Sequence, residues 1–354
     1  MSTHCSFLVP GDLGTRTGGY IYDRRIVDGL RAEGWKVDVV SLGEGWPTPG
    51  AEALALARRR VEALPDDTLA VVDGLAFGAM PDLAAEHAQR IRWIALVHHP
   101  LALETGLSDE MRRAVFESER KALAMARGVI VTSPSTARAL EDYGVSSPRI
   151  AVVEPGTDPA TMATGSGSEA LNLLCVATVT PRKGHRLLIE ALAGLMDRRW
   201  SLNCVGSLTM DPECAAALSS AIQNHGMGER VILHGEKDEN GLNALYESAD
   251  VFVLPSFHEG YGMALAEALA RGLPVISSRA GAIPDTVPSE AGVLIRPGDG
   301  DELRVALRRL MDDVDWRAGL AEGARAAGRL LPSWRQSAVR FAAALARFQS
   351  AAHE

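Results

Sequence analysis

Residues 250–275 read DVFVLPSFHEGYGMALAEALARGLPV, and the rest of the chain is organised around them. Val251 to Leu254 is a continuous apolar run, enough for a strand buried on both faces of a parallel sheet. Pro255 ends that strand. The loop SFHEGYG follows, and its glycines permit backbone shapes closed to other residues. From about Gly262 an Ala/Leu helix runs to Arg271, where Gly272 and Pro274 stop it. Strand, tight turn and helix N-terminus together present amides to an anion.

Two carboxylates frame the helix start. Glu259 precedes it and Glu267 lies inside it. At a rise of about 1.5 Å per residue, Gly262 and Glu267 are only about 7 to 8 Å apart. Both can touch one extended ligand whose anionic centre rests on the amides between them. Carboxylates accept from sugar hydroxyls, so a sugar, a diphosphate and a ribose fit in that order. An acidic residue favoured by the helix dipole, plus a solvated glutamate, would give the same spacing.

The stretch resembles the signature of family 4 glycosyltransferases, retaining enzymes that use nucleotide sugars. The match runs through VFVLPS, EGYGMALAEALARGLPVI and AGAIPD. The resemblance implies an α/β chain of GT-B fold, two doubly wound Rossmann-like domains with a cleft between them. It implies that Glu259 meets the donor sugar and Glu267 the ribose. It also implies that amides of Tyr261, Gly262 and Met263 hold the diphosphate.

Length and composition agree with two domains. The chain has 354 residues, 47% of them hydrophobic, enough to fill two cores. Net charge is −9, with 17 basic against 22 acidic residues up to Gly165 and 19 against 23 beyond. Neither half is basic, which argues against nucleic acid as a partner. Peripheral contact with a membrane through a local patch stays open. No apolar run reaches the length of a membrane span, and MSTHCSFLVPGD lacks the features of a signal peptide. Cys5, Cys175, Cys204 and Cys214 have no metal-type spacing, so reduced thiols in the cytoplasm are expected.

In chain order, strand Cys5 to Val9 leads through PGDLGTRTGGY to a helix ending at Glu33, then strand Val37 to Leu42. A dinucleotide site needs G-x-G-x-x-G and an acidic residue after the second strand, and neither is present. The resemblance sets Gly18 and Gly19 at the cleft floor. Helix Glu52 to Leu64, strand Leu69 to Val72, helix Pro81 to Gln89 and strand Arg92 to Val97 follow. That strand ends in His98 and His99, where polar residues face a ligand crevice. One buried and one exposed histidine, or a metal site lacking a third ligand nearby, are the other readings. In the family a histidine here approaches the reacting region of the donor sugar. His98 matches by register, with His99 one residue away. Helix Ser108 to Ala126, strand Val129 to Ser133, helix Ser135 to Tyr143 and strand Ile150 to Glu154 complete a first domain over residues 1–162.

The run PGTDPATMATGSGSE reads as a linker, and a second domain spans residues 169–332. Its first strand, Leu171 to Ala177, feeds TVTPRKGH and the helix Leu187 to Met196. Lys183 therefore lies between strand and helix, where charge meets phosphate, although a solvated basic turn has the same pattern. The family places an arginine at the position of Thr178, and Arg182 is the nearest substitute. Strand Leu202 to Val205 ends in Gly206, a further donor-binding candidate, and Lys237 is a more distant basic one. Asp299 and Asp301 form a D-x-D, but Glu302 follows Asp299 by three residues, the spacing of a capping box. No metal is expected. A helical tail runs from Ser333 to His353; the resemblance implies that it crosses back onto the first domain, and a helix lying on the second domain is the other reading.

Transfer from a nucleotide sugar needs a cation for the departing diphosphate and groups to hold the sugar. Lys183 answers the first need, and Glu259 with His98 the second. The expected reaction is retaining, metal-independent hexosyl transfer, without a bound cofactor. The expected donor is a UDP- or GDP-sugar, its base and sugar not named by the sequence, and the expected acceptor is a small molecule, glycan or lipid-linked hydroxyl. A non-catalytic nucleotide-sugar-binding protein and an epimerase of the same fold are the alternatives.

Overall fold

A computed structural model describes residues 3–350, which form two compact units. The first unit comprises residues up to Gly156 and those from Pro332 onward, and the second runs from Thr157 to Leu331. The linker composition put this division later, near residue 162. The structure instead fastens the linker to the second unit. Ala163 N donates to Arg271 O, Thr164 N to Glu247 O, and Ser166 N to the Asp250 carboxylate.

The first unit is a parallel sheet of β1 (His4–Val9), β2 (Lys36–Ser41), β3 (Leu69–Asp73), β4 (Arg92–Val97), β5 (Gly128–Val131) and β6 (Ile150–Val152). Their spatial order is β2-β1-β3-β4-β5-β6. Sequence order reverses between β1 and β3, and that switch point opens a crevice beyond the carboxyl ends of the strands. β3 and β5 are buried along their whole length, as expected of strands covered on both faces.

The helix Trp334–Ser350 belongs to this unit. Phe341, Leu345 and Phe348 join Phe7, Ile26 and Ile94 in one core, and Ser337 Oγ donates to Glu154 O at 2.7 Å. A Cβ on Gly29 would fall 2.5 Å from that of Ala338, so only glycine lets the Gly18–Ala32 helix lie this close. His353, the expected end of the tail, lies outside the described residues.

The second unit contains β7 (Leu171–Val176), β8 (Trp200–Val205), β9 (Val231–Leu233), β10 (Val251–Leu254), β11 (Val275–Ser278) and β12 (Gly292–Ile295). They are parallel, in the order β12-β11-β10-β7-β8-β9. Here the switch point falls between β7 and β10. The loops TVTPRKGH and PSFHEGYG leave the ends of these two neighbouring strands. Residues 76 apart in sequence are thereby brought together.

The short helices Gly74–Phe77 and Ile283–Thr286 were not read from the sequence, nor were two further elements. β11 follows directly on Pro274, and helix Val314–Gly328 carries the glycines Gly319 and Gly323. The D-x-D reading holds in its main contact, because the Asp299 carboxylate accepts from Glu302 N at 2.8 Å. Glu302 reaches back to Arg296 N at 2.7 Å rather than to the cap residue itself. No helix of the described residues is long and apolar enough to cross a membrane.

Candidate active site

Ring closure at Pro181 begins a single turn, Pro181–Lys183, and Gly184 ends it in the left-handed region at φ +72°. A Cβ on Gly184 would collide with the carbonyl oxygen of Pro255, the residue that closes β10. The basic loop therefore packs directly on the acidic one. Phe257 N donates to Arg182 O at 2.7 Å, and Arg182 Nη1 donates to His258 O at 2.8 Å.

Glu259 is 6% exposed. Its Oε1 lies 2.7 Å and its Oε2 2.9 Å from Lys183 Nζ, and Ser256 Oγ donates to Oε1 at 2.6 Å. Arg182 Nη1 stands 3.6 Å from Oε2. Burial pushes the Glu259 carboxyl up, but the charges of Lys183 and Arg182 and the bonds from Lys183 and Ser256 outweigh it. The net effect holds the group below the ordinary carboxylate range. Its backbone is equally fixed, since Glu259 O accepts from Ala282 N at 2.9 Å.

Helix Met263–Ala270 follows, with Gly262 as its cap at φ +91°. Tyr261 is buried, and its carbonyl accepts from Thr286 Oγ1 at 2.8 Å. Glu267 is half-buried and accepts from the hydroxyl of the fully buried Tyr246 at 3.0 Å. The Arg271 guanidinium lies 4.2 Å from the centroid of the Tyr246 ring. Gly206 ends β8 where a Cβ would strike the Ala177 carbonyl and come within 2.8 Å of Thr178 N. Thr178 is thus beside Gly206, while Arg182, the proposed substitute for the missing arginine, points toward Glu259. Lys237 is exposed in the turn before helix Glu239–Glu247, apart from this cluster.

In the first unit Gly18 and Gly19 open the helix Gly18–Ala32, and a Cβ on Gly19 would lie 3.4 Å from the His98 ring. His98 Nε2 meets Asp23 Oδ1 at 3.1 Å and Asp73 Oδ2 at 3.4 Å. His99 pairs instead with Glu104 at 3.3 Å. Burial lowers the proton affinity of His98, but Asp23 and then Asp73 raise it beyond that loss, to about 10. Burial drives the Asp23 carboxyl up to about 7, against the lowering charge of His98 and with the help of Asp73. Asp23, Asp73, Ser256 and Tyr246 were not singled out in the sequence. A signal existed for two of them. Asp73 closes the all-apolar run LAVV, and Asp23 lies on the same helix face as Ile26, Val27 and Leu30.

Residues 170–313 match the family profile described as glycosyl transferases group 1, and residues 71–161 match that described as Glycosyltransferase Family 4. The chain belongs to glycosyltransferase family 4. This member is 29% identical over 261 residues to the MMP alpha-(1->4)-mannosyltransferase of Mycolicibacterium hassiacum, covering 69% of this chain and 62% of that protein. It is 28% identical over 376 residues to a D-inositol 3-phosphate glycosyltransferase of Corynebacterium urealyticum, covering 91% and 89%. It spans 54 to 62% of the length of the mannosyltransferase and of three further inositol 3-phosphate glycosyltransferases. Sucrose-phosphate synthase from Thermosynechococcus elongatus superimposes with a TM-score of 0.81 at 23% identity, over 96% of this chain and 97% of that one. Anabaena HepE in complex with UDP and glucose gives 0.74 at 18%, over 96% and 99%. The fold is GT-B.

Proposed function

We propose that this protein transfers a sugar from a nucleoside-diphosphate sugar to a hydroxyl acceptor, with retention of anomeric configuration and without a metal ion. The observation that carries the reading is the Lys183–Glu259 pair at the β7/β10 switch point, beside the start of helix Met263–Ala270. Two basic side chains and one carboxylate converge where a helix N-terminus favours negative charge. An arriving diphosphate competes with Glu259 for the Lys183 ammonium. Glu259, released in part, accepts from sugar hydroxyls and faces the positive charge that develops at the anomeric carbon. Glu267, oriented by Tyr246, is the acceptor for ribose hydroxyls in this scheme.

The names of the relatives support the reading. They include a mannosyltransferase and glycosyltransferases named for D-inositol 3-phosphate, and HepE was captured with UDP and glucose. We infer a GDP- or UDP-linked hexose as donor.

A thermal-shift series with UDP-, GDP- and ADP-sugars tests the donor. A ligand at 100 times its dissociation constant adds about 2.7 kcal/mol. One nucleotide class should stabilise the chain, and absence of a shift with all three would sink the proposal. Nucleotide release that depends on acceptor distinguishes transfer from epimerisation and from binding alone.

A further inference from the structure

The surroundings of His98 contain more carboxylate than one N–H requires. Asp23 and Asp73 are 0% and 2% exposed, and both reach the same ring nitrogen. Asp23 Oδ2 has no hydrogen-bond donor among the described residues. Two buried carboxylates side by side are costly unless positive charge or a proton lies between them.

The three groups come from separate elements and each is tied down. Asp73 also accepts from Leu75 N at 2.7 Å, and His98 O accepts from Thr132 Oγ1 at 3.0 Å. The ring of Tyr22 stands edge-on to His98 at 5.3 Å, with its hydroxyl donating to Val153 O at 2.9 Å. On another side a Cβ at Gly19 would already stand 3.4 Å from the ring, so only a small residue fits there without crowding it. The imidazole is thus held in one orientation, with Nε2 turned to the carboxylates.

We propose that Asp23 and Asp73 are positioning residues for the transfer reaction, gripping Nε2–H of His98 so that the ring stays a double hydrogen-bond donor. This rests on the glycosyl-transfer reading above. In that role Nδ1–H holds a sugar oxygen and takes no proton from it. His98 is then no general base. The other titratable groups facing the cluster are Tyr20 and Tyr22, from the helix that carries Asp23. Burial, with Asp73 and Asp23 behind it, pushes Tyr20 to about 12, and burial with Asp23 drives Tyr22 well up. Neither competes for the proton in the neutral range.

The test combines ¹⁵N NMR of the histidine rings with steady-state kinetics on the full chain, its Asp23→Asn and Asp73→Asn variants, and His98→Gln to assign the signal. In the unsubstituted protein the His98 ring should keep imidazolium shifts beyond pH 8. In Asp23→Asn its midpoint should fall by more than one pH unit. With donor sugar, Asp23→Asn should lower kcat about 10- to 100-fold, by analogy with the loss when a partner orienting a metal-bound histidine is removed. Donor KM should change little, whereas a merely structural ion pair would shift the ring titration and the melting temperature alike and leave kcat unchanged. A His98 midpoint near the ordinary value, or full kcat in Asp23→Asn, overturns the proposal. Isothermal titration with Zn²⁺ and Mn²⁺ gives the remaining arm. Tight binding lost in Asp23→Asn would make the cluster a metal site and overturn it too. If no nucleotide sugar is turned over, the transfer reading fails, and the ring titration still decides the grip.

Discussion

Lys183 and Glu259, 76 positions apart, form a bidentate ion pair, with Nζ 2.7 and 2.9 Å from the two carboxylate oxygens. Both side chains are mostly buried, at 18% and 8% exposure. Removing either leaves the other charge short of a partner. A double-mutant cycle of Lys183→Ala and Glu259→Gln in urea should therefore show a coupling of about 1–3 kcal/mol. Additive effects would mean the pair is incidental. Lys183→Ala should also cut turnover about 10²- to 10³-fold, as loss of a fixed donor to a developing anion does. Lys183→Arg should restore little. Only four of the 36 basic residues are lysine, and the planar guanidinium does not fit the place of a compact ammonium.

The same pairing fixes a pH dependence. Glu259 is held below the ordinary carboxylate range, so it contributes stability above its unfolded pKa of about 4.3. That contribution is lost as pH falls through the lower folded value. Unfolding midpoints of the unsubstituted chain and Glu259→Gln should differ by a constant amount at neutral pH and converge in acid. A gap that widens as pH falls would contradict the ion pair.

Glu119 should show the opposite slope. It is buried against Gly78, and its Oε2 accepts from Leu101 N at 2.9 Å. Burial raises its carboxyl to about 8, against the lowering bonds from Leu101 and Tyr143. The folded state then binds more protons than the unfolded between about pH 4.3 and the folded value. Its share of stability declines as pH rises across that window. Glu119→Gln should flatten the decline between about pH 5 and 8 in urea titrations, and an unchanged slope would refute the assignment.

Gly184→Ala puts a side chain on a left-handed backbone and against the Pro255 carbonyl. The backbone alone costs about 1–2 kcal/mol. The variant should melt lower and lose donor affinity together, because the Pro181–Lys183 turn must back away from Glu259. Unaltered melting and affinity would show that the two loops are not packed as described.

In the proposed reaction Lys183, Arg182 and a helix N-terminus face the diphosphate, so transfer should survive EDTA. Loss of activity on chelation, restored by Mg²⁺ or Mn²⁺, would require another source of charge.

The apolar runs made most strands readable, because parallel strands covered on both faces leave no alternation to misjudge. Glu259, Lys183 and Gly184 were visible as residues, but their mutual contact was not. That contact depends on β7 and β10 being neighbours, a fact of sheet order rather than of local pattern. Helix Val314–Gly328 escaped for a related reason. Glycine weakens an isolated helix, yet a Cβ at Gly323 or Gly328 would strike the backbone of Glu290 or Leu269. Those glycines mark close packing rather than a break. His98 was legible from its place at the end of β4. The two aspartates behind it were hidden, because a carboxylate among apolar residues gives no hint in sequence of its partner.

The last described helix has a consequence for the order of assembly. The second unit is one uninterrupted stretch of chain, whereas the first is split around it. During synthesis residues 157–331 can complete their core as soon as they emerge. Phe7, Ile26 and Ile94 must wait for Phe341, Leu345 and Phe348. A released chain truncated after Leu331 should therefore carry a protease-resistant second unit beside a first that is still being cut.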